Sequence, residues 1–395
     1  MAHSHSFSGS TAIAGIGATE FSKASGRTEL RLAVEAVAAA LADCGLRPSD
    51  VDGLVTFDMD TSPVTEVARY TGMDEIRFFP STGFGGGGSC STIELAAMAV
   101  TAGTASTVVA YRAFNERSGS RFGQARSVAP QTPPTADHVT RSWTYPFGLM
   151  TPASVWAMAA RRYMHEYGAT SADFGRISVL ERQHASTNPA AWFYGRPITL
   201  DDHQNSRWIA EPLRLLDCCQ ETDGGIALVV TSPDRAADLS QRPVSVAAAA
   251  SGFSRDQQIM TSYSRGRITD TPEMAAVGAR LWKQSGLGPA DMHAAMLYDH
   301  FTPSVLFQLE ALGFCPPGEG AEFVASGALA MDGALPLNPH GGQIGEGYMH
   351  GMNAITEAVR QLRGTAANQV ADPQNILVTA GTAIPTSALI LSRTG

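Results

Sequence analysis

The chain has 395 residues, 44% of them hydrophobic and 16% charged, with a formal net charge of −9. That composition belongs to a globular protein long enough for two domains or two fused half-domains, and an acidic balance without a basic run argues against a nucleic-acid partner. No apolar run approaches the roughly 18 residues of a membrane span, and the five cysteines form no CxxC pair, so a reduced, cytoplasmic protein is expected.

Residues 1–10 carry neither the charged nor the apolar region of a secretory leader and read as a solvated tail. Thr11-Ala-Ile-Ala-Gly-Ile-Gly is a short buried strand, and a helical run from Leu30 to Cys44 follows, ended by Gly45. Gly45-Leu-Arg-Pro48-Ser-Asp50-Val then leads into the strand Gly53-Leu-Val-Thr-Phe57-Asp58. Glycines 85–88 open an apolar helix, Ile93 to Ala102, and Ser106-Thr-Val-Val-Ala-Tyr is the next strand. Residues 112–150, rich in Arg, Ser, Gly and Pro without periodicity, read as a region that covers a site and reaches to about residue 160, overlapping a helical stretch over 151–190. Asp223-Gly-Gly precedes the strand Ile226-Ala-Leu-Val-Val-Thr, and Pro233 to Pro243 links an N-terminal half, 11–237, to a C-terminal half, 244–395. In the second half Met274 to Ser285 is helical, Ala294-Ala-Met-Leu-Tyr298-Asp299 is a strand, and Asn375-Ile-Leu-Val-Thr-Ala with Ser387-Ala-Leu-Ile-Leu-Ser forms a closing hairpin. Strands alternating with helices make this an α/β protein. The unit helix, Gly-Leu-x-Pro-x-Asp, strand begins once at Gly45 and again at Gly286, setting Phe57-Asp58 opposite Tyr298-Asp299 and implying a duplicated half.

The densest chemical signal is Asn338-Pro-His-Gly-Gly-Gln-Ile-Gly-Glu-Gly-Tyr-Met-His-Gly-Met-Asn353, which runs into an apolar helical segment. Glycines at this density let backbone approach a ligand closely, and a loop feeding a helix aims N–H groups at negative charge. His340, Glu346 and His350 share this loop and could be read as metal ligands, but no second ligand group accompanies them. Of the 28 basic residues only Lys23 and Lys283 are lysines, and both read as solvated, so a Schiff base is not expected.

Tyr167-Gly168, Asn188-Pro-Ala, Pro212-Leu-Arg-Leu-Leu-Asp217-Cys-Cys, Thr222-Asp223-Gly, Asp299-His-Phe-Thr with Glu310-Ala-Leu-Gly-Phe-Cys315, and Asn338-Pro-x-Gly-Gly together span nearly the whole chain. Their order resembles the thiolase superfamily, in particular its sterol-carrier/lipid-transfer branch. The resemblance implies a thiolase-like fold of two duplicated βα halves in an α-β-α-β-α layered arrangement, paired as a homodimer. The departures from that family are pointed. Counting back from Gly103 puts Gly86 where the nucleophilic cysteine of a thiolase stands, and no cysteine follows Cys315 to serve as the second one near Thr379-Ala-Gly381. The two histidine or asparagine positions of the thiolase motifs hold Tyr298 and Tyr348. Cys90, one turn into the helix, reads as a small buried thiol, with a thiolase or acyltransferase using it as the least favoured alternative.

Two phenols and free loop amides suit retro-aldol cleavage of a β-hydroxyacyl thioester, in which a base takes the hydroxyl proton and the thioester enolate is held and protonated. The pattern is similar to the thiolase-like aldolases of actinobacterial steroid side-chain degradation. By that resemblance Tyr298 and Tyr348 are the catalytic pair. Gly86 and Gly381 are candidate oxyanion donors, with Asp299 and His300 as loop support. The substrate would be a steroid side-chain CoA thioester of the 17-hydroxy type, cleaved to a steroid ketone and propionyl-CoA. It also implies no further cofactor, and an OB-fold DUF35-type partner on a hydratase subunit in a heterotetramer. The residues leave open which tyrosine is the base; the working assignment is Tyr348 as base and Tyr298 as proton donor. A non-catalytic acyl-CoA or lipid-binding scaffold is the competing reading, and CoA contacts are unassigned.

Overall fold

The computed structural model describes residues 8–119, 121, 123, 139, 142–258, 260, 265–381 and 385–394. In the first half, strand β1 (Ala12–Ala18) is followed by helix α1 (Glu29–Cys44), β2 (Gly53–Phe57), α2 (Val64–Thr71), β3 (Ser81–Thr82), α3 (Ser89–Thr101) and β4 (Thr107–Asn115). Helices α4 (Pro152–Tyr167) and α5 (Ser171–Thr187), the short α6 (Leu200–Asn205) and a small ribbon, β5 (Trp208–Ala210) with β6 (Leu213–Arg214), lead to β7 (Asp223–Thr231) and α7 (Pro233–Ala237). The second half runs through β8 (Val244–Gly252), α8 (Pro272–Ser285), β9 (Ala294–Met296), α9 (Thr302–Ala311), α10 (Gly320–Ala325), α11 (Gly342–Gly345), α12 (Met352–Arg363), β10 (Asn375–Ala380) and β11 (Thr386–Arg393).

Nine strands join in the order β3-β2-β4-β7-β1-β8-β11-β10-β9. The order is a near-palindrome about the β1–β8 contact. On one side β2–β4 is parallel while β4–β7 and β7–β1 are antiparallel; on the other β9–β10 is parallel while β10–β11 and β11–β8 are antiparallel. The strand that follows the Gly-Leu-x-Pro-x-Asp unit is β2 in one quartet and β9 in the other, so the repeated sequence unit corresponds to a repeated topology. The two quartets are joined at the β1–β8 edge, where Ala12 pairs with Ser245 and Ile13 with Val244.

The core clusters arrange these strands in layers. Helix α1 covers the outer face of β1, β4 and β7 with Leu32, Val37 and Leu41. Helices α8 and α9 cover the outer face of the second quartet with Val277, Leu281 and Leu306. Between the quartets lie α3 and α12, whose Ile93, Ile355 and Val359 pack against Val108, Leu228, Val246 and Val378 from both halves. Ten of the twelve residues of α12 are buried, including Glu357 and Gln361, which is the expected state of a helix enclosed on all sides.

Two sequence expectations are corrected. Strand β4 continues to Asn115, so 112–115 are sheet residues and not the start of a covering loop. The arginine that made this stretch look exposed, Arg112, is 1% exposed and paired with Asp60; ion pairing lets a strand bury what composition assigns to solvent. From Pro152 onward the chain is helix rather than cover, and most of the intervening stretch lies outside the described residues. Strand β8, Val-Ser-Val-Ala-Ala-Ala-Ala-Ser-Gly, was not expected: alanine favours helix, but pairing with β1 and β11 on both edges overrides that preference.

Helix α1 lies directly on β1. A Cβ at Gly17 would sit 2.3 Å from the Ala36 carbonyl oxygen and the Ala40 nitrogen, both backbone atoms that cannot rotate away. Gly17→Ala is therefore expected to cost about 1–3 kcal/mol, read as a lower urea midpoint at unchanged m-value.

Candidate active site

The site is built where the second quartet ends against the glycine turn of the first half. Tyr298 lies just past β9, and its backbone is clamped. Its N–H donates to Thr379 Oγ1 on β10 at 2.9 Å and to Gln308 Oε1 on α9 at 3.2 Å, while Gln308 Nε2 donates to its carbonyl at 2.8 Å. Tyr348, in the turn between α11 and α12, donates its N–H to Thr222 Oγ1 at 2.8 Å, and that hydroxyl returns a bond to the Tyr348 carbonyl at 3.1 Å. The two phenol oxygens meet at 3.0 Å. Both rings are buried, Tyr348 at 9% exposure being the more open.

Around Tyr298 the wall is backbone. A Cβ at Gly86 would lie 1.7 Å from the Tyr298 hydroxyl, and one at Gly351, where φ is +85°, would lie 3.1 Å from its ring. Position 86 can therefore hold only glycine while Tyr298 stands where it does. Gly86 belongs to the buried turn Gly85–Gly88 that heads α3, so the N-terminal, positive end of that helix lies beside the Tyr298 hydroxyl.

Burial pushes both phenols well above the ordinary tyrosine value; Tyr298 gains a hydrogen bond to Tyr348 that partly opposes the shift. At neutral pH the pair is thus two neutral hydroxyls in contact, each able to accept one proton while releasing another.

The supporting residues divide. Asp299 is buried below the Gly-rich loop and accepts from the N–H groups of Gln343 and Ile344, both at 3.0 Å. Its neighbour Glu181 holds Asn338 Nδ2 at 2.7 Å, and burial followed by repulsion from Asp299 raises Glu181 far above the carboxylate range. Glu181 is thereby held protonated beside Asp299, and the two acids anchor the loop. His300 stands edge-on to Trp156 at 4.7 Å and 4.9 Å from the Tyr298 ring, and burial drives its imidazole down to about 3. It is a neutral wall of the cavity. Gly381 closes β10 at φ +68°, and its carbonyl accepts from Thr386 Oγ1 at 2.8 Å.

Other candidates are separated by the fold. His350 turns to Arg112, whose Nε donates to its Nδ1 at 3.3 Å, whereas His340 lies 3.9 Å from Glu346. Among the described residues no group of three His, Cys, Asp or Glu side chains is disposed to hold a metal ion. Cys90 is buried against the Val378 carbonyl at 3.7 Å, and burial raises its thiol. Lys283 is exposed, as read. Lys23 is half-buried rather than fully solvated. It donates to Gln220 Oε1 at 2.9 Å and to the Glu221 carbonyl at 2.6 Å, and burial, then Arg117, lowers its ammonium to about 8. The bridge between Ser22 and Asp223 carries Lys23 inward, a long-range pairing that local composition does not reveal.

Three further residues escaped the sequence reading. Phe114 meets the Tyr348 ring edge-on at 6.3 Å. Cys219 and Glu116 both act electrostatically on the two phenols. Burial keeps Cys219 a protonated thiol, so it is not poised as a nucleophile. Phe114 and Glu116 were read as covering loop; their alternation with Arg112 was the available signal.

Residues 256–393 match the family described as thiolase C-terminal domain-like. Across 97% of its length the chain is 62% identical to the steroid side-chain-cleaving aldolase of Thermomonospora curvata, covering 98% of that protein. The chain belongs to the steroid side-chain-cleaving aldolase family. This aldolase is also 61% identical to the 17-hydroxy-3-oxo-4-pregnene-20-carboxyl-CoA lyase of Mycobacterium tuberculosis, over 97% of its own chain and 99% of the other. The solved Ltp2–ChsH2(DUF35) aldolase superposes with a TM-score of 0.94 at 61% identity, covering 98% of this chain and 99% of that one. The aldolase is a carbon–carbon lyase on a thiolase-like fold, as the sequence resemblance implied.

Gly86→Ala places a methyl group inside the van der Waals radius of the Tyr298 oxygen. The variant is expected to lose about 100-fold or more in kcat, the scale of a displaced acid–base group, while circular dichroism and the elution volume stay those of the parent.

Proposed function

We propose that Tyr298 and Tyr348 carry out retro-aldol cleavage of a β-hydroxyacyl-CoA of the steroid side-chain class, the 17-hydroxy type giving a steroid ketone and propionyl-CoA. The observation that carries this reading is the 3.0 Å contact between two buried, neutral phenols. Cleavage moves one proton from the β-hydroxyl to the α-carbon and needs no net exchange with water. Tyr348 takes the hydroxyl proton and passes its own to Tyr298, while the O–H electrons become the ketone π bond. The Cα–Cβ pair is released as the thioester enolate, and Tyr298 protonates its α-carbon. Tyr298 is assigned the donor's role because it lies against the glycine turn at the head of α3, where N–H groups favour the enolate oxygen. Gly86 is the first proposed donor there, and Gly381 the second.

The proton balance closes between the two phenols, so the reading requires no further cofactor. Lys23, although its ammonium is lowered, has no Schiff-base role in it: the carbonyl that stabilises the carbanion is a thioester, which does not form an imine.

The reading includes a homodimer joined to a DUF35-type partner in a heterotetramer. Its support is the Ltp2–ChsH2(DUF35) relative together with the edge strand β3, beside which Phe79 and Phe84 are 64% and 53% exposed. A cytoplasmic location is proposed from five free cysteines; among the described residues no helix is long and apolar enough to cross a membrane.

Tyr298→Phe and Tyr348→Phe each remove one hydroxyl from the relay. Each variant is expected to lower kcat by about 10²–10⁴-fold on the CoA thioester, assayed with the DUF35 partner, with the melting temperature nearly unchanged. Near-parental turnover in both would end the reading, and substrate binding by the parent without product would support a scaffold instead. Phe79→Ser is expected to shift the light-scattering mass of the isolated chain from dimer toward monomer.

A further inference from the structure

Glu116 is an ionisable group close to the phenol pair that the relay does not use. It follows β4 directly, and along β4 the even-numbered side chains face the central layer. Arg112 reaches His350, and Phe114 reaches the rings of His350 and Tyr348. The odd-numbered side chains face the other way: Tyr111 and Ala113 pack with α1, and the Asn115 amide donates to the Arg27 carbonyl at 2.8 Å. Glu116 opens the turn that follows, beside the Asn115↔Asp223 pair that ends the β4–β7 ladder; Thr222, the residue before Asp223, is the one that grips Tyr348. Glu116 is 3% exposed, and its Oε2 has no hydrogen-bond partner, a state in which a buried carboxylate is costly.

We propose that Glu116 is a positioning residue of the reaction, a buried carboxylic acid that must remain uncharged for negative charge to build up on the phenols and the enolate. The inference rests on the relay reading of the tyrosine pair. An anionic carboxylate in a cavity of low dielectric would oppose each step in which an oxygen of the relay gains charge. Lys23 and Arg121 face Glu116 from the loops after β1 and β4, Arg112 faces it from β4 itself, and Glu221 faces it from the approach to β7. Its own charge in turn acts on Tyr298, Tyr348 and Cys219. Burial, with Glu221 adding to it against the three cations, pushes the Glu116 carboxyl up to about 9. The protonated acid is the active form, so activity holds at neutral pH and falls as pH rises through that value.

The test is the pH dependence of kcat and kcat/KM between about pH 6 and 11, measured on a β-hydroxyacyl-CoA with the DUF35 partner present. Glu116→Gln has no charge to gain. It is expected to keep kcat at neutral pH within about threefold, to leave KM within about twofold, and to move the alkaline limb up by at least about one pH unit. Glu116→Asp, which still ionises, is expected to keep the limb. An unmoved limb in Glu116→Gln overturns the inference, as does a loss above about 100-fold at every pH, which would make the ionised carboxylate a base. Should Tyr298→Phe and Tyr348→Phe remain active, it is the relay reading that fails. If Glu116→Gln does not fold, infrared difference spectra of the parent across about pH 8–10 take its place. Loss of a protonated-carboxyl band that shifts in Glu116→Asp supports the inference, and no such band overturns it.

Discussion

The Tyr298 hydroxyl occupies the volume that any side chain at position 86 would fill. A Cβ there would lie 1.7 Å from the phenol oxygen, far inside contact distance, and neither partner can yield cheaply. The turn Gly85–Gly88 is buried, and the backbone of Tyr298 is fixed by Thr379 and Gln308. A nucleophilic cysteine at 86 and a phenol at 298 are therefore alternatives that cannot coexist in this framework. Two departures from the thiolase pattern that look independent along the chain are one steric exchange in space. The exchange removes the covalent nucleophile and leaves in its place a phenol, which is a poor nucleophile while neutral.

The rest of the cavity keeps the pair dry and fixed. Both tyrosines come from the second half, and the first half contributes to their surroundings the glycine turn, the Thr222 hydroxyl that grips Tyr348 front and back, and Phe114 on β4. The site thus spans the central layer, where α3 and α12 pack between the quartets. Asp299 and Glu181 hold the Gly-rich loop through the Ile344 N–H and the Asn338 amide.

Buried charge is used sparingly and with compensation. Arg112 is buried against Asp60 and two aromatic rings, Phe57 at 5.1 Å and Phe114 at 4.4 Å; even with burial lowering it to about 10, it remains a cation at neutral pH. It faces His350, which is correspondingly held neutral.

Much of this was legible in the chain. The alternation of strands and helices, the repeated Gly-Leu-x-Pro-x-Asp unit, the missing cysteines and the two tyrosines in their motifs are local or spacing signals, and they depend only on residue identity and order. What the sequence could not show was how distant segments meet. Lys23 reads as solvated because its neighbours are polar, yet pairing with the segment before β7 draws it inward. Arg112 and Phe114 read as loop because their composition is mixed, yet pairing with β7 across nine residue pairs makes them one face of a strand, with Glu116 in the turn just after it. Sequence alone determined the family, the class of reaction and the pair of phenols, since each is encoded by which residue stands in which motif. Tertiary structure alone decided that Gly86 is sterically required, that the phenols touch, and that a carboxyl lies beside them, because contact, burial and the loss of water are properties of packed surfaces and not of neighbouring letters.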